Sequence, residues 1–196
     1  MHARVLRAAD YRRMRWKNGG GTTTELAVHP ESGGDAGGAF DWRISIADIE
    51  IDGAFSAFVG CDRHIALLDG IGMELTIDGA DPLRLDQRLR FTPFAGDAQT
   101  YAKLLSGPVR DFNVIVRRDA FRAEVLHRPL VGPMVFLPEN ATWFIYLADG
   151  RADVKLAGTA QELGIGESLL LEPDGNSERV VLNGGGEVVL VKLTPR

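Results

Sequence analysis

The chain has 196 residues, 45% of them hydrophobic and 25% charged, with a formal net charge of −5. This is the composition of a globular protein, and the acidic balance removes any global attraction to nucleic acid or an anionic membrane. No apolar run reaches membrane-spanning length, and the single cysteine, Cys61, excludes an internal disulfide framework, so a reducing cytoplasm is the expected location.

Residues 1–17 carry five arginines and no apolar core segment, which argues against a secretory signal. They lead into Trp16-Lys17-Asn18-Gly19-Gly20-Gly21-Thr22-Thr23-Thr24-Glu25. Three consecutive glycines are costly in backbone entropy, and they belong where the chain needs positive φ or passes close to something else. The threonines and Leu26-Ala27-Val28 read as the strand that follows. Residues 29–38 are loop by composition. Phe40 to Ala47 alternates with period two: Phe40, Trp42, Ile44 and Ile46 share one face, and Asp41, Arg43, Ser45 and Ala47 the other. A half-buried strand is expected there, with Arg43 and Ser45 side by side on its polar face.

The segment Gly53 to Arg63 holds a Phe55-Ser56-Ala57-Phe58 centre between glycines. Short strands are expected at Ile65–Leu68, Met73–Ile77, Leu83–Leu85, Leu89–Phe91, Phe112–Arg117 and Phe121–Leu126. Only Ala102-Lys103-Leu104-Leu105 hints at a helix. Beyond residue 138 the same pattern resumes, with strands at 143–147, 154–156, 169–171, 180–182 and 188–191. Many short strands between turn signals make the chain all-β, a sandwich or barrel.

The two halves repeat. Ile65-Ala66-Leu67-Leu68-Asp69-Gly70 matches Ile145-Tyr146-Leu147-Ala148-Asp149-Gly150, and Leu75, Ile77 and Gly79 match Val154, Leu156 and Gly158. Two copies indicate duplication of a β-unit rather than a solenoid. Gly166, Leu169–Leu171 and Pro173-Asp174-Gly175 resemble the second motif of cupins, but Glu178 stands where metal-binding cupins place a histidine. His2, His29, His64 and His127 are never at ligand spacing, so neither a metal nor a cofactor is expected.

Polar groups concentrate in Trp16–Glu25, at Arg43 and Ser45, and in Ser56–Arg63, with a further cluster at Asp111-Phe112-Asn113. If the first β-unit encloses a lumen, Lys17, Arg43 and Arg63 make it cationic, and arginine's planar fork matches a carboxylate. Asn18, Thr22 and Ser45 supply neutral hydrogen bonds, and Trp16 or Phe58 an aromatic wall. The expected partner is a small anionic metabolite. No nucleophile–base pair can be read from spacing. The enzymatic alternative gives Glu25 or Asp62 the role of general base beside an arginine. A third alternative is a protein-interaction module, and open sheet edges are compatible with a homodimer.

Together, Trp16-Lys17-Asn18-Gly19-Gly20-Gly21-x-Thr23-x-Glu25, Phe40-x-Trp42-Arg43-x-Ser45-x-Ala47, Gly53-x-Phe55-Ser56-x-Phe58-x-Gly60-x-Asp62-Arg63 and Gly107-Pro108-Val109-x-Asp111-Phe112-Asn113 resemble the HutD/Ves family. The resemblance is strong over roughly the first 120 residues. It implies a bicupin, with two jelly-roll barrels in one bacterial chain. The first, residues 1–118, would carry the polar cluster, and the second, residues 119–196, a structural or interface role. It also implies a metal-independent binding protein that modulates histidine utilisation, with formylglutamate or urocanate as ligand and no established catalysis. The expected binding residues are Trp16, Lys17, Asn18, Gly19, Gly20, Thr23, Glu25, Arg43, Ser45, Ser56, Phe58, Arg63 and Asn113.

Overall fold

The computed structural model describes residues 2–31, 39–137, 139–156, 158–175 and 179–196. Most of the loop expected over residues 29–38, and Glu178, lie outside the described residues. The chain is all-β, with sixteen strands and one 3-10 turn, Ala8–Asp10, among the described residues. It divides into two compact units: residues 11–121, and residues 1–10 together with 122–196.

In the unit of residues 11–121, alternating apolar residues build two sheets. After β1 (His2–Leu6), which belongs to the other unit, come β2 (Arg12–Arg15), β3 (Gly21–His29), β4 (Trp42–Ile49), β5 (Gly53–Ala54), β6 (Cys61–Asp69), β7 (Met73–Ile77), β8 (Leu83–Leu85), β9 (Thr92–Ala95), β10 (Thr100–Leu104) and β11 (Val109–Arg117). One sheet runs β2-β3-β4-β11-β6-β9 and the other β5-β10-β7-β8. Ile49, Ile65 and Leu67 from the first sheet pack with Met73, Leu75, Leu85 and Ala102 from the second. The helix hinted at by Ala102-Lys103-Leu104 is not formed. Thr100 and Ala102 are buried while Tyr101 and Lys103 are exposed, and this period of two is that of β10 paired to β7.

The second unit adds β12 (Phe121–Phe136), β13 (Thr142–Leu156), β14 (Thr159–Leu163), β15 (Ser168–Glu172) and β16 (Val180–Pro195) to β1. Their order is β1-β15-β13-β16-β12, with β14 on β13. Residues 2–6 pair with β15 and so join this unit, not the one that follows them in sequence. In both units the strand orders are open paths, so the closed barrels expected from the sequence do not form among the described residues.

The internal repeat has a structural counterpart with a difference. Asp69 and Asp149 each accept the N–H of the following glycine, at 2.9 and 2.8 Å. Gly70 and Gly150 both have positive φ, and each sits beside a register shift. At Gly70 the chain leaves one sheet for the other. At Gly150 it continues, as β13 pairs with β16 on both sides. A Cβ on Gly150 would lie 2.0 Å from the Gly185 carbonyl oxygen, and one on Gly184 would lie 2.2 Å from that of Arg151. The triple glycine 184–186 thus lets two long strands approach closely in mid-strand, where the sequence pattern suggested a turn.

Candidate ligand cavity

The central position of β11, between β4 and β6, assembles the cavity. Strand registers place Arg43, Ile115 and Arg63 in one row across three strands. The next row is Glu25, Ser45, Asn113 and Ile65, and the third is Thr23, Ala47, Asp111 and Leu67. Side chains two apart on a strand share a face, so all of these point the same way. Of these, Thr23, Arg43, Ser45, Ala47, Arg63, Asp111, Asn113 and Ile115 line a cavity of about 500 Å³ together with Met14, Trp16, Lys17, Asn18, Phe55, Ser56 and Phe58. This volume suits a small metabolite. The polar face of β4 thus turns to the cavity, and its arginine and serine form part of the wall.

The glycine stretch seats one side of the wall. The Trp16 carbonyl accepts the Gly19 N–H at 3.1 Å, and Gly19 has φ +74°. Asn18 Oδ1 accepts the Gly20 N–H at 3.0 Å. A Cβ on Gly20 would meet Ile51 at 2.9 Å, and one on Gly21 would meet the Asp48 carbonyl oxygen at 2.3 Å. Each glycine thus has its own reason: handedness at Gly19, side-chain proximity at Gly20, and backbone proximity at Gly21. The result fixes Trp16, whose indole N–H donates to Thr23 Oγ1 at 2.8 Å. Gly21→Ala should cost on the order of 1–3 kcal/mol through the clash with Asp48, read as a lowered denaturant midpoint; an unchanged midpoint would remove this explanation of the third glycine.

Charge is concentrated deeper in the cavity. Arg63 is 7% exposed; its Nε and Nη2 donate to Asn113 Oδ1 at 2.9 and 2.6 Å. Its guanidinium carbon lies 4.7 Å from the Phe55 ring centroid and 5.4 Å from that of Phe94. Burial lowers the Arg63 pKa to about 10, with Asp111 opposing, so it remains a cation at neutral pH. Arg43 Nε donates to Glu25 Oε2 at 2.7 Å. Asp111 is fully buried, and Asn113 Nδ2 donates to its Oδ1. Its Oδ2 has no hydrogen-bond partner. Burial pushes the Asp111 carboxyl up to about 7, against the pull of Arg63 and the Asn113 hydrogen bond, while Asp48 adds to the rise.

Of the expected binding residues, Trp16, Lys17, Asn18, Thr23, Arg43, Ser45, Ser56, Phe58, Arg63 and Asn113 line this one cavity, whereas Gly19, Gly20 and Glu25 do not. Glu25 acts on the cavity through Arg43. Asp62 lies on the opposite face of β6 from Arg63, where the Arg118 guanidinium donates to it at 2.6 Å. Neither candidate base lines the cavity. The carboxyl that does is Asp111, which the sequence places in a polar cluster with Asn113 but not among the expected binding residues. Cys61 is buried, and burial raises its thiol pKa, which suits packing rather than reactivity. No group of three or more potential metal ligands gathers among the described residues, and no helix there is long and apolar enough to cross a membrane.

A family model described as HutD matches residues 8–190. A 21.2 kDa Pseudomonas putida protein, described by its position in the hutC 3′ region, is 39% identical over 193 residues, covering 98% of this chain and 97% of that one. Among solved structures, HutD from Pseudomonas fluorescens SBW25, in a formate condition, is similar with a TM-score of 0.82 and 36% identity over the full length of both chains. The bacterial pirin YhhW of Escherichia coli, at 10% identity and a TM-score of 0.71 over the full length of both chains, shares the fold alone.

Proposed function

This chain belongs to the HutD family, and we propose on that footing that its cavity binds a small carboxylate metabolite and so modulates histidine utilisation. The observation that carries the reading is Arg63. A guanidinium this buried normally has an anionic partner, because desolvating a charge is costly. Here its hydrogen-bond partner is the neutral Asn113, and Nη1 donates to none of the described residues. A ligand carboxylate would supply the missing anion. Arg43 would add a second contact, since only its Nε is engaged by Glu25. The aromatic walls exclude water and strengthen both interactions.

The relative named for its place beside hutC and the neighbour named HutD favour an intermediate of histidine breakdown, formylglutamate or urocanate. We also read the two units as the halves of a bicupin, supported by the matching Asp-Gly positions at 69–70 and 149–150. The enzymatic reading through Glu25 or Asp62 has less support, because neither carboxylate lines the cavity.

Thermal unfolding with formylglutamate, urocanate and glutamate tests the proposal. Ligand at 100 times Kd stabilises the native state by about 2.7 kcal/mol, a rise in Tm of several degrees. No rise with any of the three at millimolar concentration would overturn it.

A further inference from the structure

We infer that Asp111 sets the specificity of this cavity: its free oxygen accepts an N–H from the bound molecule, so the cavity selects carboxylates that also carry an amide or imidazole N–H. This rests on the cavity being a carboxylate site. Asp111 is fully buried and lines the cavity. Its Oδ1 is held by Asn113 Nδ2, which orients the carboxyl and leaves Oδ2 unpaired. The cross-strand neighbours at its level are Ala47 and Leu67, and neither side chain carries a donor. Arg63 engages Asn113 rather than Asp111. Buried polar atoms are nearly always hydrogen-bonded in native proteins, and an exception inside a cavity points to a donor brought by a ligand.

The arrangement is a relay with a fixed sense. Arg63 donates to the Asn113 carbonyl, and the Asn113 amide donates to Asp111, which in its ionised form therefore presents only an acceptor. Arg63 Nη1 and Asp111 Oδ2 thus offer one donor and one acceptor from the two rows that flank the row of Asn113. A carboxylate with a nearby N–H matches both. A plain dicarboxylate matches Arg63 and leaves Asp111 unsatisfied. Sites built to hydrogen-bond a substrate group reject analogues that lack it, because the site's own polar atom is left unpaired.

Calorimetric titration of the full chain at pH 8, where Asp111 is ionised, with N-formylglutamate, with its ester isostere 2-formyloxyglutarate, and with glutarate tests this. The wild type should bind the amide at least about tenfold more tightly than the ester. In Asp111→Asn the carboxamide must keep its carbonyl toward Asn113, so its NH2 faces the ligand, and the amide preference should vanish. Equal binding of amide and ester by the wild type would overturn the inference and leave the carboxylate reading standing. Binding of none of the three would overturn both. The wild-type ratio decides even if Asp111→Asn does not fold.

Discussion

Arg63→Met is expected to abolish carboxylate binding while leaving the fold intact. The cation lies under Phe55 and Phe94, and its hydrogen bonds go to the neutral Asn113. Removing one partner of a buried, hydrogen-bonded charge pair costs about 2–5 kcal/mol of binding, a loss of roughly thirtyfold or more. Stability should respond differently. Without ligand, Arg63 is a desolvated charge, and its removal offsets part of the cost of leaving Asn113 Oδ1 without its two donors. Methionine also retains contact with both rings. The expected signature is lost ligand response in a variant that still unfolds cooperatively, with a modest fall in Tm. Retained affinity in a folded Arg63→Met protein would show that the cation serves packing alone.

The second large effect concerns pH. The Asp111 carboxyl is raised by burial to about 7 in the folded chain, from an ordinary value of 3.8. Arg63 and the Asn113 amide favour its charged form, while Asp48 opposes it. The native state therefore holds a proton that the unfolded chain has released between these two values. Stability falls with rising pH wherever the native state binds more protons, at about 1.4 kcal/mol per pH unit for one full proton. The loss begins near pH 4 and levels off above about 7. Asp111→Asn stays neutral throughout and preserves an acceptor for the Asn113 amide. It should match the wild type near pH 4 and exceed it in stability at pH 8. Denaturant midpoints at pH 4, 6 and 8 would show this, and parallel profiles for the two proteins would contradict it.

The residues differ in how far sequence alone exposes their roles. The alternation of Trp42 to Ala47 identifies a strand and pairs Arg43 with Ser45 on one face. It does not show that this face is part of a cavity, because the rest of the wall comes from residues 14–18 and 54–58, on either side of it in sequence. Arg63 is in phase with Ile65 and Leu67, which is a period-two signal for an inward position, and the same phase turns Asp62 outward to Arg118. Read along β6, that alternation separates the two neighbours. Asp111 is harder. At the start of a strand an aspartate is ordinary turn chemistry, and its importance comes from the pairing of β11 with both β4 and β6, a contact between segments far apart in the chain. Glu25 is displaced from the cavity lining near a register shift between Glu25 and Ala27, which no local pattern announces. In the second unit, Gly150 and Gly184–Gly186 look like turns because glycine marks both turns and close strand contacts; only the partner strand distinguishes them.

The central claim is that the buried Arg63 is the anion anchor of a ligand cavity. Calorimetric titration of N-formylglutamate into the wild-type chain and into Arg63→Met at neutral pH tests it most directly. Saturable binding near one ligand per chain in the wild type, lost in the folded variant, is the predicted result; binding of equal strength in both, or none in the wild type at millimolar ligand, would contradict it.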